Sequence, residues 1–317
     1  MVMKTPAACF LLLFAASATN LPHLLAQTNQ PAQPSETTDR GAAKQPSRAR
    51  TGNQTFPTIP SSMALGQDVK FEGYEVRTYR AGEHGDPSQA FEVLKGGRRV
   101  YSRVDDDGMK YSVGCLNKND PGNRDIRPGK DITGEGKPNL VIADWTGGAH
   151  CCLTYYIFEL DDQVREVGRI DARHGEGCRF RKEREGKVDF LINDWTFAYW
   201  NAPFAFSPAP QVILRYQAGS YHVAADLMVK PAPSPGEFQQ LVEKGRRIPR
   251  SGDGSPASKF WGIMLDLIYS GHANLAWKFC DGAWPSSAES KQEFLRSSKS
   301  QLSTSPYWEA IKAMNGL

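Results

Sequence analysis

The sequence predicts an α+β protein with two folded domains: an N-terminal antiparallel β domain of blade-like repeats, as a partial propeller or a sandwich, and a small C-terminal helical domain. Three observations predict this fold class. The chain contains an internal repeat, many short strand-like segments follow one another closely, and a proline cluster at 231–235 marks a change to helical spacing. The predicted order is a signal peptide at 1–26, a disordered linker at 27–60, the β domain at 65–230 and the helical domain at 236–317.

The internal repeat covers residues 131–146 and, less completely, 181–196. Aligning Glu135 with Glu185 matches the following Gly-Lys pairs and the later Asp-Trp-Thr triplets at a constant offset of 50 residues. A fixed offset of this kind is typical of folds built from repeated supersecondary units. We therefore expect the two copies to play equivalent parts in neighbouring β units.

The strand-like segments are short and are separated by turn residues. Gly96-Gly97 lies between two of them and predicts a hairpin, whereas the wholly apolar run 140–143 predicts a buried strand. The predicted strands are 71–79, 91–94, 100–104, 140–143, 152–160, 164–170, 189–195 and 211–216.

Beyond the prolines, apolar residues recur at helical spacing. In the segment 260–269, Trp261, Met264, Leu265 and Ile268 share one helix face. We expect the helical domain to consist of the segments 238–242, 260–269, 273–279, 287–302 and 306–314.

Residues 1–26 have the features of a secretory signal. Lys4 precedes an apolar core at 7–18 that is too short to span a bilayer, and cleavage is expected after Ala18 or Ala26. No later segment reaches 18 consecutive apolar residues, so we expect no transmembrane segment after cleavage. The following residues lack the large side chains of a core. The sequence therefore predicts a secreted or periplasmic protein.

Export makes disulfides the expected state of the cysteines. Cys115, Cys151, Cys152 and Cys178 lie close together in the sequence, and a bond between the adjacent Cys151 and Cys152 would need a strained ring. We expect Cys115 and Cys178 each to bond to one member of that pair, with the pairing open. Cys280 is expected to be a buried thiol.

The charge of the chain limits its partners. A formal net charge of +3 and the lack of a dense basic block argue against a nucleic-acid partner. The expected partner is an unknown protein or a glycan.

The stretch 131–139 is an acidic, glycine-rich loop. Oxygens at alternate positions of a tightly turned chain suit Ca²⁺, which takes about six to eight oxygen ligands. The alternative is an Asx-type turn that needs no metal. In the second copy, Arg181 occupies the leading ligand position and argues against a metal there. The candidate Ca²⁺ ligands are Asp131, Thr133, Glu135, Lys137 through its carbonyl, and Asn139.

The stretch 195–206 is the most aromatic part of the chain. Interpreted as a strand, it places Tyr199 on the same face as Trp195 and Trp200 on the other face. Exposed rings would stack on a sugar or a peptide, and core packing is the alternative use. The candidate ligand surface is Trp195, Tyr199 and Trp200.

One group of residues suggests catalysis. His150 lies two residues before Cys152, and Asp144 and Asp194 recur at the same place in the two repeats. A disulfide would leave no thiolate to act as a nucleophile. The disulfide therefore argues against a cysteine nucleophile. The alternative function that stays open is a periplasmic or secreted hydrolase around Asp144, His150 and Asp194, without an assigned catalytic residue.

The segment Asp-Ile-Thr-Gly-Glu-Gly-Lys-Pro-Asn-Leu at 131–140 resembles the acidic loop of FG-GAP/VCBS-type repeats of extracellular β-propellers. With its Trp-Thr-Gly-Gly-Ala-His-Cys-Cys tail, the chain is similar to a group of secreted bacterial proteins of unknown function that carry degenerate repeats of this type. The resemblance implies blade-like units and Ca²⁺ in the first loop. The sequence thus predicts an exported, non-enzymatic binding or structural protein with a disulfide-braced β domain and one candidate Ca²⁺ loop.

Overall fold

The computed structural model describes residues 56–81, 88–106, 108–148, 152–175, 179–182, 186–249, 258–284 and 288–317. In this part of the chain, twelve strands form three four-stranded antiparallel sheets, and six α-helices follow the last strand. The prediction of antiparallel β structure followed by helices is confirmed. The described strands close neither a barrel nor a propeller.

The first sheet contains β1 (Ala64–Phe71), β2 (Tyr74–Arg80), β3 (Gln89–Lys95) and β4 (Arg98–Asp105), paired in chain order. The predicted hairpin turn lies between β3 and β4. The prediction of one strand over 71–79 is wrong, because Glu72 and Gly73 have φ values of 46° and 81° and turn the chain. That turn separates β1 from β2.

The second sheet contains β5 (Lys110–Val113), β6 (Asn139–Trp145), β7 (Leu153–Leu160) and β8 (Val164–Arg173), again in chain order. The third contains β9 (Phe180–Lys182), β10 (Val188–Asn193), β11 (Gln211–Gln217) and β12 (Ser220–Val223). Each copy of the sequence repeat contributes the second strand of its sheet, which is β6 in one case and β10 in the other.

The second sheet lies between two hydrophobic cores. Leu140 and Ile142 of β6 pack in the core shared with the first sheet, while Val141 and Ala143 pack in the core that includes the third sheet and the helices. Alternate side chains of a strand point to opposite faces, so a wholly apolar strand buries both of its faces. This confirms the buried strand predicted at 140–143.

The two repeat strands have the same orientation. Ile142 of β6 packs toward the first sheet, and the aligned Ile192 of β10 lies in the core shared with the second sheet. The ring of Phe190, also on β10, lies 6.0 Å from the ring of Tyr155 on β7. Equivalent side chains therefore face the preceding sheet in both copies.

The helices are α1 (Ala225–Met228), α2 (Pro235–Arg246), α3 (Ser258–Ile268), α4 (Ala273–Ala283), α5 (Ala288–Ser303) and α6 (Trp308–Met314). A capping box of Ser234 and Glu237 starts α2, with Pro235 in its first turn. The apolar face predicted for α3 is confirmed, because Trp261, Met264, Leu265 and Ile268 are all buried. These helices and the third sheet belong to one continuous core.

Several predictions fall outside the described residues. They are the signal peptide at 1–26, the linker up to residue 55, and the side chains of His150, Cys151 and Cys178. Among the helices that the structure describes, none combines the length and the apolarity needed to cross a membrane.

Candidate functional site

The connection 194–210 between β10 and β11 carries the exposed aromatic residues. It forms two short 3₁₀ turns, Trp195–Phe197 and Phe204–Phe206. The ring of Phe204 stacks on Trp195 at 5.2 Å and lies 5.5 Å from the ring of Tyr199. Tyr199 is 59% exposed and Phe206 is 66% exposed. This segment, residues 194–210, is called the aromatic loop below.

The backbone of the aromatic loop is locally constrained. Tyr199 and Asn201 have φ values of 60° and 51°, in the left-handed region that side chains with a Cβ rarely adopt. The amide of Tyr199 donates to Oγ of Ser207 at 3.0 Å, and that hydroxyl donates to the carbonyl of Pro203 at 3.2 Å. Such conformations persist only where surrounding contacts hold them. The exposed ring of Tyr199 is therefore presented on a fixed backbone.

The structure separates the three residues of the predicted ligand surface. Trp200 lies against Trp261 of α3 and Phe294 of α5, at ring distances of 5.1 and 6.0 Å, so it belongs to the helical core. The prediction of a strand through Trp195 is wrong, because the chain enters a 3₁₀ turn there instead of continuing β10. Without that strand, Trp195 and Tyr199 do not share the strand face that was predicted for them. Tyr199 is the member that faces outward.

Asp194 fixes the start of the aromatic loop. Its side chain is buried at 2% exposure and accepts four hydrogen bonds. Two come from the amide and hydroxyl of Thr196, at 2.9 and 2.5 Å. The other two come from the hydroxyls of Tyr269 and Ser305, both at 2.5 Å from Oδ2. Burial, together with the neighbouring Asp194 carboxylate, raises the pKa of Tyr269 well above its usual value, so this phenol remains a donor.

Asp144, the aligned residue of the first repeat, has different partners. Its Oδ1 accepts a hydrogen bond of 2.7 Å from Nε2 of Gln89, which joins β6 to β3 of the first sheet. Asp194 instead bonds to the helical part of the chain. Burial of Asp194 under these donors matches a packing role. His150, the third residue of the hydrolase hypothesis, lies outside the described residues.

A charged cluster lies beside Asp144, between the first and second sheets. Nε of Arg103 is 2.8 Å from Oδ2 of Asp105, and its guanidinium lies 4.3 Å from the ring centre of Tyr156. Arg103 also lies 3.9 Å from Glu166 of β8. Burial raises the pKa of Glu166, although Arg103 and Arg169 oppose the shift. These groups join the two sheets through ion pairs.

The acidic loop at 131–139 closes on its own side chains. Asp131 accepts hydrogen bonds from the amides of Gly134 and Gly136, at 2.6 and 2.8 Å. These are the bonds of the Asx-type turn that was the alternative to a metal site. An ionised carboxylate has about four acceptor positions, so Asp131 has capacity left for a cation. Glu135 is exposed at the tip of the loop.

The other predicted ligands fit Ca²⁺ less well. Oδ1 of Asn139 accepts from the amides of Ile132 and Thr133, at 2.8 and 3.2 Å, and lies 3.3 Å from the Thr133 hydroxyl. Nζ of Lys137 bonds to the buried Glu159 at 2.7 Å, and the Lys137 carbonyl, the predicted ligand, carries no charge. Of the five candidates, Asp131 and Glu135 are therefore the charged groups available to an ion. The described residues contain no group of three or more His, Cys, Asp or Glu side chains that could hold a metal.

The second repeat lies directly against this loop. The amide of Val188 donates to the carbonyl of Ile132 at 2.9 Å. The aliphatic chain of Lys187 covers Gly134, where an added Cβ would lie 2.0 Å from Cε of Lys187. The two repeat loops thus form one contact between the second and third sheets.

Two of the predicted disulfide cysteines are described. Cys115 and Cys152 are both disulfide-bonded. Their pairing with Cys151 and Cys178 stays a prediction, because those two residues lie outside the described part of the chain. Cys280 is a buried thiol on α4.

Other residues near the aromatic loop were not singled out from the sequence. The ring of His174, at the end of β8, lies 4.9 Å from Trp195 and 4.7 Å from Phe204. Arg179 and Asn193 lie at the same end of the third sheet and share a hydrogen bond of 2.9 Å. Tyr269 and Ser305 are distant in sequence, and no local pattern marks them as partners of Asp194.

Comparison of the sequence with protein-family models gives no match, and a search of curated proteins gives no similar sequence. The resemblance to FG-GAP/VCBS-type repeats therefore stays a prediction.

Proposed function

We propose that the protein is an exported, non-enzymatic binding or structural protein whose ligand surface is the aromatic loop. The observation that carries this proposal is the exposure of two large rings, Tyr199 and Phe206, on a backbone that buried groups hold in place. Exposed aromatic residues on a fixed loop are typical of recognition sites, because a rigid ring loses little conformational entropy on binding.

The residues below the loop support a binding role. Asp194 ties its start to the helices, and Trp200 inserts between Trp261 and Phe294. A ligand that stacks on Tyr199 would therefore meet a surface that needs little reorganisation. The expected ligand is a glycan or a protein segment with an apolar face.

The proposal assigns the rest of the β domain a supporting role. Blade-like sheets, braced by disulfides at Cys115 and Cys152, would carry the loop in an oxidising compartment. One Ca²⁺ ion at the acidic loop, with Asp131 and Glu135 as charged ligands, would stabilise the contact between the second and third sheets. The support for export and for Ca²⁺ is the sequence pattern described above.

A binding screen tests the proposal. The chain is applied to glycan and peptide arrays, and each ligand found is titrated against Tyr199→Ala and Phe206→Ala. We expect both variants to weaken binding and to melt like the wild type, since both side chains are exposed. Leu65→Ala on β1 is the matched control, because Leu65 is also exposed, at 55%. Equal affinities of all three variants and the wild type would exclude the aromatic loop as the ligand surface.

A hydrolase would be revealed by a different result. Turnover of a bound ligand, lost in Asp144→Asn without loss of folding, would replace the binding proposal with an enzymatic one.

A further inference from the structure

The second and third sheets enclose a small pocket beside the aromatic loop. Tyr155, Phe190 and Trp195 supply rings to its wall, and Arg179 and Asn193 supply polar groups. The cavity measures about 20 Å³. That volume holds one or two waters, or a group of similar size such as a carboxylate.

Arg179 makes this pocket suitable for an anion. Its Nη2 donates to the neutral Oδ1 of Asn193 at 2.9 Å, and no carboxylate among the described residues lies within ion-pair distance of it. Arginine has five N–H donors, so most of the guanidinium remains available to a ligand. The indole N–H of Trp195 is also buried and has no acceptor among the described residues. A carboxylate would supply acceptors to both groups.

The pocket and the exposed rings are connected. Trp195 lines the pocket and stacks on Phe204, and Phe204 lies 5.5 Å from Tyr199, so a row of three rings runs from the pocket to the surface. We infer that the ligand is an acidic glycan, with its carboxylate at Arg179 and a sugar ring against the aromatic loop. This inference rests on the proposed function and specifies the ligand class of the same surface.

The size of the pocket favours a sugar acid over a peptide. A uronic acid carries its carboxylate directly on the ring, so a small polar group enters the pocket while the ring stays outside against Phe204, and the next sugar of the glycan lies on Tyr199. A peptide carboxylate has a side chain and an amide on the adjacent carbon, and both would have to lie outside a cavity of about 20 Å³.

The test compares two probes that share one sugar chain and differ in whether their carboxyl groups are charged or esterified. Trigalacturonate and its methyl ester are titrated by calorimetry against the wild-type chain and against Arg179→Gln. We expect the acid to bind the wild type about tenfold more tightly than the ester, or better, which is the size of one charge-assisted contact. Arg179→Gln should abolish that preference, and Arg179→Lys should retain part of it.

Arg169→Gln is the matched control. Arg169 is exposed on β8 but lies over Tyr156, in the core on the opposite face of the second sheet. The Arg169→Gln variant loses the same charge as Arg179→Gln, and it should still bind the acid more tightly than the ester. Thermal melts check that every variant folds.

The outcomes separate this inference from the proposed function. Equal binding of acid and ester, an unchanged preference in Arg179→Gln, or no binding of either sugar at millimolar concentration overturns the acidic-glycan inference. So does binding of acetyl-Gly-Phe with a free carboxylate in place of the sugar. None of these results overturns the proposed function, which falls if Tyr199→Ala and Phe206→Ala both leave the affinity for every ligand unchanged, or if the Asp144→Asn test shows turnover.

Discussion

The phenol of Tyr269 donates a hydrogen bond to Oδ2 of Asp194 across 2.5 Å, although the two residues are 75 positions apart. Ser305 donates to the same oxygen from the connection between α5 and α6. Four hydrogen bonds to the Asp194 carboxylate offset the cost of its burial. This carboxylate joins the end of β10, the aromatic loop and the helices.

We expect Asp194→Ala to lower the free energy of unfolding by about 2–6 kcal/mol, because two buried hydroxyls lose their acceptor at about 1–3 kcal/mol each. Tyr269→Phe removes one donor and should cost about 1.5–3 kcal/mol. Urea denaturation measures both. Asp226→Ala is the control: its carboxylate is 67% exposed and pairs with Arg215 at 3.4 Å, so it should cost no more than about 1 kcal/mol. Equal losses in Asp194→Ala and Asp226→Ala would refute this role.

Two adjacent residues of the aromatic loop, Tyr199 and Trp200, should differ in how much their replacement by alanine lowers stability. Trp200→Ala removes the ring contacts with Trp261 and Phe294 and should cost about 2–3 kcal/mol, less than a fully buried tryptophan, because Trp200 is partly buried. Tyr199→Ala removes an exposed ring and should change stability by no more than about 0.5 kcal/mol. Chemical denaturation of the two variants under one set of conditions gives the comparison. A larger loss for Tyr199→Ala would show that the ring of Tyr199 is part of the core.

Glu166 should make stability depend on pH. Burial holds its folded-state pKa above the ordinary value, so the folded chain binds this proton more tightly than the unfolded chain. The free energy of unfolding then falls as pH rises from the unfolded-state pKa to the folded-state pKa of Glu166. Above the folded-state pKa, the loss of stability from the buried charge is complete. Glu166→Gln removes the penalty. We expect this variant to be more stable than the wild type at pH 7, with a gain that shrinks as pH falls through the raised folded-state pKa and is absent below about pH 4.

Glu237→Gln provides a control of opposite sign. The hydrogen bonds from Ser234 lower the pKa of Glu237 in the capping box of α2. The contribution of Glu237 to the free energy of unfolding is present above its unfolded-state pKa, and it is lost as pH falls through its folded-state pKa. Melts of both variants from pH 3 to 8 should diverge in opposite directions, and parallel curves would contradict the assignment.

Calcium should act through the acidic loop. If the ion binds, millimolar Ca²⁺ raises the melting temperature of the wild type relative to EDTA, by about 2.7 kcal/mol of stability at a hundredfold excess over the dissociation constant. Glu135→Gln should weaken this response without changing the melt in EDTA, because Glu135 is exposed. Asp131→Ala should also melt earlier in EDTA, because the amides of Gly134 and Gly136 lose their acceptor. A wild type that does not respond to Ca²⁺ has an Asx turn and no functional ion site.

Local patterns in the sequence predicted most of the secondary structure. Gly96-Gly97 marked a hairpin, the apolar run 140–143 marked a strand buried on both faces, and the spacing of Trp261, Met264 and Ile268 marked the inner face of α3. These signals work because each depends on neighbours in the chain. The same approach failed at Glu72–Gly73, where a two-residue turn interrupts residues that favour strands.

The candidate site was harder to predict because its contacts join distant parts of the chain. Among the aromatic residues of 195–206, composition does not distinguish Trp200, which packs half-buried against α3 and α5, from Tyr199, exposed beside it. Arg179 was overlooked because a single arginine carries no motif. Its relation to Asn193 and Trp195 exists only after β9 and β10 pair.

The amino-acid sequence alone indicated most of the strands and helices, where the repeat lies and which loop is acidic, because periodicity, turn residues and residue chemistry are local properties. Tertiary structure alone decided that Asp194 is a buried acceptor for Tyr269 and Ser305, and that Tyr199 faces outward. The reason is physical: burial and hydrogen-bond partnership depend on which distant elements pack together, and the free energy of a side chain is set by that environment.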